Sequence, residues 1–262
     1  MAGYEMVHVA IAPPDTLDEN LLRKVANIVN KDPYDTRLLL AGEIPRIVAH
    51  CQGMQVAQSM AHKLTDLGLV AIVCKDSELH KPGQSFQAYT MEFGERKVTF
   101  SDKGGQERTV ESRNAFLIVK GRKQTYTEEE KTKTRMKFSL PATVLTGGIP
   151  IWRRVREKSS DSSVQSEWFL RLYERKSSQP CVEMLQDHMD YSFLGANMAP
   201  SSLTNFSTIV AKLREVFPQA IFDDRLTKSL AVSVPSVGGQ DDLEIKLRLI
   251  YLYHTAQSGL DR

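Results

Sequence analysis

Hydrophobic and polar positions change period several times along the first 77 residues. Met6 to Ala12 (MVHVAIA) is an apolar run rich in β-branched residues and ends at Pro13-Pro14, which predicts a buried strand. Leu21, Leu22, Val25, Ile28 and Val29 then recur at helical spacing, with Arg23, Lys24 and Asn27 on the other side. Thr16 and Glu19 fit a capping box at the start of that helix. TRLLLAGEIPRIVAHC holds two short apolar runs around Ala41-Gly42-Glu43 and predicts a hairpin whose second strand begins at an edge, because of Pro45. Ala57, Met60, Ala61, Leu64 and Leu67 line a second helix with Gly68 at its C′ position, and Leu69 to Cys74 closes the series as a strand. The predicted order over residues 4–77 is β-α-β-β-α-β, a ferredoxin-like α+β module with a four-stranded antiparallel sheet.

From about residue 85 the period becomes two. Tyr89, Met91 and Phe93 share one strand face, Val98 and Phe100 return on the next strand, and DKGGQ turns the chain with paired glycines. RTVES, NAFLIVKG, EWFLRLYER and PCVEMLQ continue as strands. Phe206, Ile209, Val210, Leu213, Val216 and Phe217 then form the apolar stripe of a helix capped by Ser201 or Ser202 and stopped by Pro218. In the tail, 227–262, Leu243, Ile245, Leu247, Leu249 and Tyr251 alternate with Glu244, Lys246 and Arg248, which predicts the second strand of a hairpin. Leu243, Leu247, Ile250, Tyr251 and His254 also share a helical face, so a helix is the competing reading.

This pattern over residues 85–226, meandering strands closed by one amphipathic helix, resembles a bacterial PH-like domain. The likeness carries an insertion at about 121–165. It implies an antiparallel sandwich or barrel capped by its helix, and a binding role toward lipid head groups, peptides or proteins.

Composition adds little until charge is located. The 262 residues are 41 % hydrophobic and 25 % charged, which permits ordinary globular cores, and the length suits two modules. MAGYEMVHVAIAPP does not read as a signal peptide, and no run reaches the ~18 apolar residues of a membrane-spanning helix. Cys51, Cys74 and Cys181 lie in apolar runs with no C-x-x-C pair, so free thiols and a cytoplasmic setting are expected. The net charge is +2, yet residues 131–158 hold eight cations against the single acid Glu157. That stretch is therefore +7 and the rest of the chain −5. Its middle, Phe138 to Trp152, is uncharged.

Chemical motifs are sparse. The sequence has no Walker lysine, no G-x-S-x-G elbow and no strand-linked G-x-G-x-x-G. The six histidines show no metal-ligand spacing, and His8 and His50 read as ordinary strand residues, so no metal or cofactor is expected. One catalytic pattern is present. Asp223 or Asp224 precedes Glu244-Ile245-Lys246 by about twenty residues, as the PD-(D/E)xK nucleases place two metal-binding carboxylates beside a lysine on a strand.

Three readings suit the cationic stretch. It could fold back over a sandwich edge, its charges serving solubility. It could meet a polyanion or an acidic protein by counterion release, with Trp152 stacking. It could rest on an anionic membrane surface. The function expected is a non-enzymatic binding or regulatory protein contacting an anionic partner through Lys131, Lys133, Arg135, Lys137, Trp152, Arg153, Arg154 and Arg156. The alternatives are the nuclease and a scaffold that self-associates through sheet edges.

Overall fold

The computed structural model describes residues 5–14, 16–80, 85–138, 152–175, 177–227 and 239–259, with backbone alone for 124–138, 152–165 and 239–242. The architecture is α+β, with three separate sheets and no barrel among the described residues. Met1–Arg122 and Trp168–Arg262 form one compact unit; Lys123–Glu167 form another.

β1 (Val7–Ile11) is buried at all five positions because it is the central strand of a three-stranded sheet. β2 (Arg46–Cys51) and β3 (Ala71–Lys75) flank it, each antiparallel to it. α1 (Glu19–Val29) starts at Asp18, not Thr16: the Asp18 side chain accepts the Leu21 N–H at 2.6 Å. α3 (Met54–Thr65) links β2 to β3, and Gly68 follows it with φ +83, where a side chain would be strained. Val7, Val9, Ile11, Leu22, Val25, Ala57 and Leu64 make the core between helices and sheet.

The predicted hairpin before β2 is not formed. Pro33–Leu39 is a helix, α2, so the module has three strands instead of four. The cause is local: Asp32 accepts the N–H groups of Tyr34 and Asp35, and Pro33 stands at the first helical turn, where its missing N–H costs nothing. What remains of the expected order is the split unit β2–α3–β3, two parallel strands with β1 between them.

α4 (Asp76–Leu79) leads to the other two sheets. β5 (Thr90–Phe93), β6 (Lys97–Ser101) and β7 (Glu107–Glu111) form an antiparallel meander. The five-stranded sheet runs β11-β8-β9-β10-β4, comprising β11 (Ile221–Leu226), β8 (Ala115–Phe138), β9 (Trp152–Glu174), β10 (Pro180–Leu185) and β4 (Phe86–Gln87). Its edge strands are parallel to their neighbours, β11 to β8 and β4 to β10, so the sheet is mixed instead of antiparallel. Met91, Val98, Phe100 and Val110 from the meander meet Ile118, Leu170, Leu172 and Val182 from the large sheet. α5 (Ser202–Val216) closes that core with Phe206, Ile209 and Leu213.

The tail is a helix, α6 (Gly239–Ser258), where alternation predicts a strand. It packs on two sides. Leu247, Ile250 and Tyr251 enter the core under β8 and β9, while Leu249 joins Ala10, Ile72 and Cys74 beneath the first sheet. A helix wedged between two sheets carries apolar residues on more than one side, which adds a strand-like alternation to the helical face of Leu243, Leu247, Ile250, Tyr251 and His254; the helix, the competing reading, is the one formed. Each buried apolar side chain of α6 contributes about 1.5–3 kcal/mol of burial, so α6 is the joint between the modules of the larger unit. No described helix is long and apolar enough to cross a membrane.

Candidate functional site

β8 and β9 are 24 and 23 residues long, about four times an ordinary strand. Residues 115–122 and 168–174 of these strands belong to the larger unit; the rest, within Lys123–Glu167, belong to the separate unit. What the sequence marks as an insertion between two strands is therefore made largely of the strands themselves. Lys131, Lys133, Arg135 and Lys137 lie on β8, and Trp152, Arg153, Arg154 and Arg156 lie on β9. Residues 139–151, most of the uncharged middle, are outside the described residues.

The base of this hairpin is well defined. The Phe169 ring lies over Gly121, and Lys120 and Arg122 stand over the Trp168 ring, 4.8 and 5.7 Å from its centroid. Gly121 is required there: a Cβ would collide with the Phe169 ring and approach Leu226 Cβ at 3.0 Å. Beside it, Arg171 crosses from β9 to its neighbours. Its Nε donates to Glu183 at 2.6 Å on β10, and its two terminal nitrogens donate to Glu244 on α6 at 2.7 and 2.5 Å. Burial pulls the Arg171 pKa down, but Glu244 and Glu183 more than reverse this, so the guanidinium stays charged. Arg248 of α6 donates to the Ser178 carbonyl and hydroxyl at 2.8 and 2.7 Å.

The nuclease constellation is not assembled. Glu244 and Lys246 sit on α6, a helix, where the motif needs a strand. Glu244 is committed to Arg171, whereas Asp223 on β11 accepts from Arg225 at 2.5 Å and bonds His254 at 2.7 Å. Burial would raise the Asp223 pKa, but the bonds from His254 and Arg225 prevail and hold it well below the carboxylate range. Asp224, next in the chain, is exposed. No group of three His, Cys, Asp or Glu able to hold a metal exists among the described residues.

One polar cluster escapes the sequence reading. His8 and His50 face each other across β1 and β2, with their Nδ1 atoms 2.7 Å apart. His8 Nε2 reaches Asp76 Oδ1 at 2.9 Å, and His80 Nδ1 lies 3.3 Å from the same oxygen. With Asp76 ionised, His8 donates through Nε2 and accepts at Nδ1 from His50. Burial, then the proximity of His8 and Lys31, lowers the His50 pKa, while Asp76 opposes the shift. The Nδ1–Nδ1 bond needs one proton, so the pair cannot hold two positive charges and keep it. The only sequence trace is that each histidine sits inside a predicted strand; the register that pairs them is tertiary.

Cys51, Cys74 and Cys181 are free and buried. Burial pushes Cys74 and Cys181 up to about 12, which leaves them as unreactive thiols.

No family model matches this chain, and neither the curated proteins nor the solved structures contain a match.

Proposed function

We propose that this chain is a non-enzymatic binding or regulatory protein that engages an anionic partner through the β8–β9 arm. One observation carries the reading: the +7 stretch falls in a unit of its own, built of two long neighbouring strands. Along β8, Lys131, Lys133, Arg135 and Lys137 occupy alternate positions, which place a row of cations on one strand face.

The scaffold suits this role. Two sheets and α5 sharing one core support a PH-like reading of about 85–226, and β2–α3–β3 around β1 supports a ferredoxin-related reading of 4–77. Both architectures host binding modules. The three buried free thiols support a reducing, cytoplasmic setting.

Retention of the full chain on an immobilised polyanion tests the proposal. Exchange of Lys131, Lys133, Arg135 and Lys137 for Gln should lower the eluting salt concentration. Unchanged elution would overturn the reading.

A further inference from the structure

A row of polar side chains crosses the first sheet from one edge to the other. Val7, Val9 and Ile11 pack with α1 and α3, so His8 takes the opposite face of β1, with Ala10. His50 on edge strand β2 stands directly across from His8, and Asp76 meets His8 from the start of α4, just past β3. We infer that His8, His50 and Asp76 are an acid-released latch: a bond between the two rings fastens β2 to β1, and uptake of two protons opens it. The latch does not depend on the proposed binding role of the arm.

The ring geometry is that of a hydrogen bond. The Nδ1 atoms are 2.7 Å apart and the ring centroids 4.8 Å apart, so both nitrogens lie near the line joining the rings. Each lone-pair direction therefore runs into the other ring's nitrogen. Two ligands of one metal ion would instead aim at a point off that line.

Asp76 decides which ring donates. The bond from His8 lowers the Asp76 pKa, and the ionised carboxylate only accepts. His8 thus carries its proton on Nε2 and none on Nδ1. His50 must donate through Nδ1, and its own Nε2 carries no proton.

This assignment orders the protonation steps. A first added proton goes to Nε2 of the exposed His50 ring and leaves the Nδ1–H···Nδ1 bond in place. A second can go only to Nδ1 of His8, which is buried. Two N–H groups would then face each other between two charged rings, and the bond is lost. His50, on the solvent side, turns away, while His8 stays on Asp76. The surrounding charges set where this happens. Lys31, past the end of α1, opposes a charged His50 and Asp76 favours it, while His80 Nδ1 also lies 3.3 Å from the Asp76 carboxylate. Lys75 and Glu5 pair at 3.4 Å, and Glu78 accepts the Lys75 N–H at 3.1 Å. From α6, Leu249 joins this face, with Tyr253 packed beside it.

NMR of the histidine ring nitrogens in the full chain tests the tautomers. At neutral pH His8 should be protonated at Nε2 alone and His50 at Nδ1 alone. On acidification His50 Nε2 should gain its proton before His8 Nδ1 does. Amide exchange, corrected for its intrinsic pH dependence, reads the latch itself. Residues 48–51 should lose protection at the second step and not at the first, while Leu170 and Leu172 of β9 stay protected. His50→Gln cannot titrate, so protection of β2 should no longer change over that range. Asp76→Asn removes the charge that favours protonated His50 and should move the first step to lower pH. His50 protonated at Nε2 at neutral pH, or an unchanged acid response of β2 in His50→Gln, would overturn the latch. Loss of protection in β2 and β9 together would overturn it too, because the unit then unfolds as a whole. Each of these results leaves the reading of the arm standing.

Discussion

The larger unit and the arm differ in how their cations are set against acids: in the first by contacts in space, in the second by the balance along the sequence. Arg171, Arg225 and Arg248 are each matched: Arg171 by Glu183 and Glu244, Arg225 by Asp223, and Arg248 by Ser178. Arg171 ties β9 to β10 and α6, Arg248 ties α6 to the 177–179 turn, and Asp223, which also bonds His254, ties β11 to α6, so this charge is consumed by architecture. Residues 131–158 hold eight cations and one acid, far more positive charge than their own acid can match. On the proposed function, the surplus in that stretch is what meets the partner, whereas the charge of Arg171, Arg225 and Arg248 holds the fold together.

Breaking the architectural pairs should give the largest effects. Arg171→Met leaves Glu183 nearly buried without its charged partner and should cost about 3–5 kcal/mol in denaturant unfolding. Loss below about 1 kcal/mol would show that the triad is not structural. Asp223→Ala removes the acceptor shared by Arg225 and His254 and should cost about 2–4 kcal/mol.

The same carboxylate fixes a pH dependence. Its folded pKa is depressed, so the stability it contributes is present above the unfolded value of about 3.9 and lost as pH falls through the folded one. Acid melts of Asp223→Ala should therefore be flatter below pH 4 than those of the parent. Gly121→Ala is next, at about 1–3 kcal/mol, because its methyl must displace the Phe169 ring.

The smallest stability effect belongs to His50. Its depressed pKa means that the unfolded chain takes up the proton first, so stability is full above about pH 6.5 and falls as pH drops toward the folded value. His50→Gln should remove that slope and shift the melting temperature little at pH 7.5. An unchanged slope would show that His50 does not carry this dependence.

How far the chain could be read in advance depended on how many sides of each element are covered. α1, α3 and α5 bury one face each, and their stripes, such as Leu22, Val25 and Val29, stand out in the sequence. α6 is covered on two sides and so mimics a strand through Leu243, Ile245, Leu247, Leu249 and Tyr251. α2 was hidden by three consecutive leucines, although Asp32-Pro33 is a helix start that outweighs them. In the arm, charge was visible but architecture was not: residues 124–137 and 153–165 hold few apolar residues, so no apolar alternation marks β8 and β9 there, and only the threonines hint at strand. The His8–His50–Asp76 cluster stayed invisible because it depends on pairing between segments more than forty residues apart.

The comparison of the two regions yields one decisive measurement. Two variants lose the same four charges: Lys131, Lys133, Arg135 and Lys137 to Gln in the arm, and the exposed Arg23, Lys24, Lys63 and Lys97 to Gln in the larger unit. On the proposed reading both should melt close to the parent, the exposed set within about 0.5 kcal/mol of it, as surface substitutions do. Polyanion affinity across a salt series should fall steeply, with a shallower slope, for the arm variant alone. Equal losses in the two variants would mean that net charge, not the arm, attracts the anion, and the central claim would be wrong.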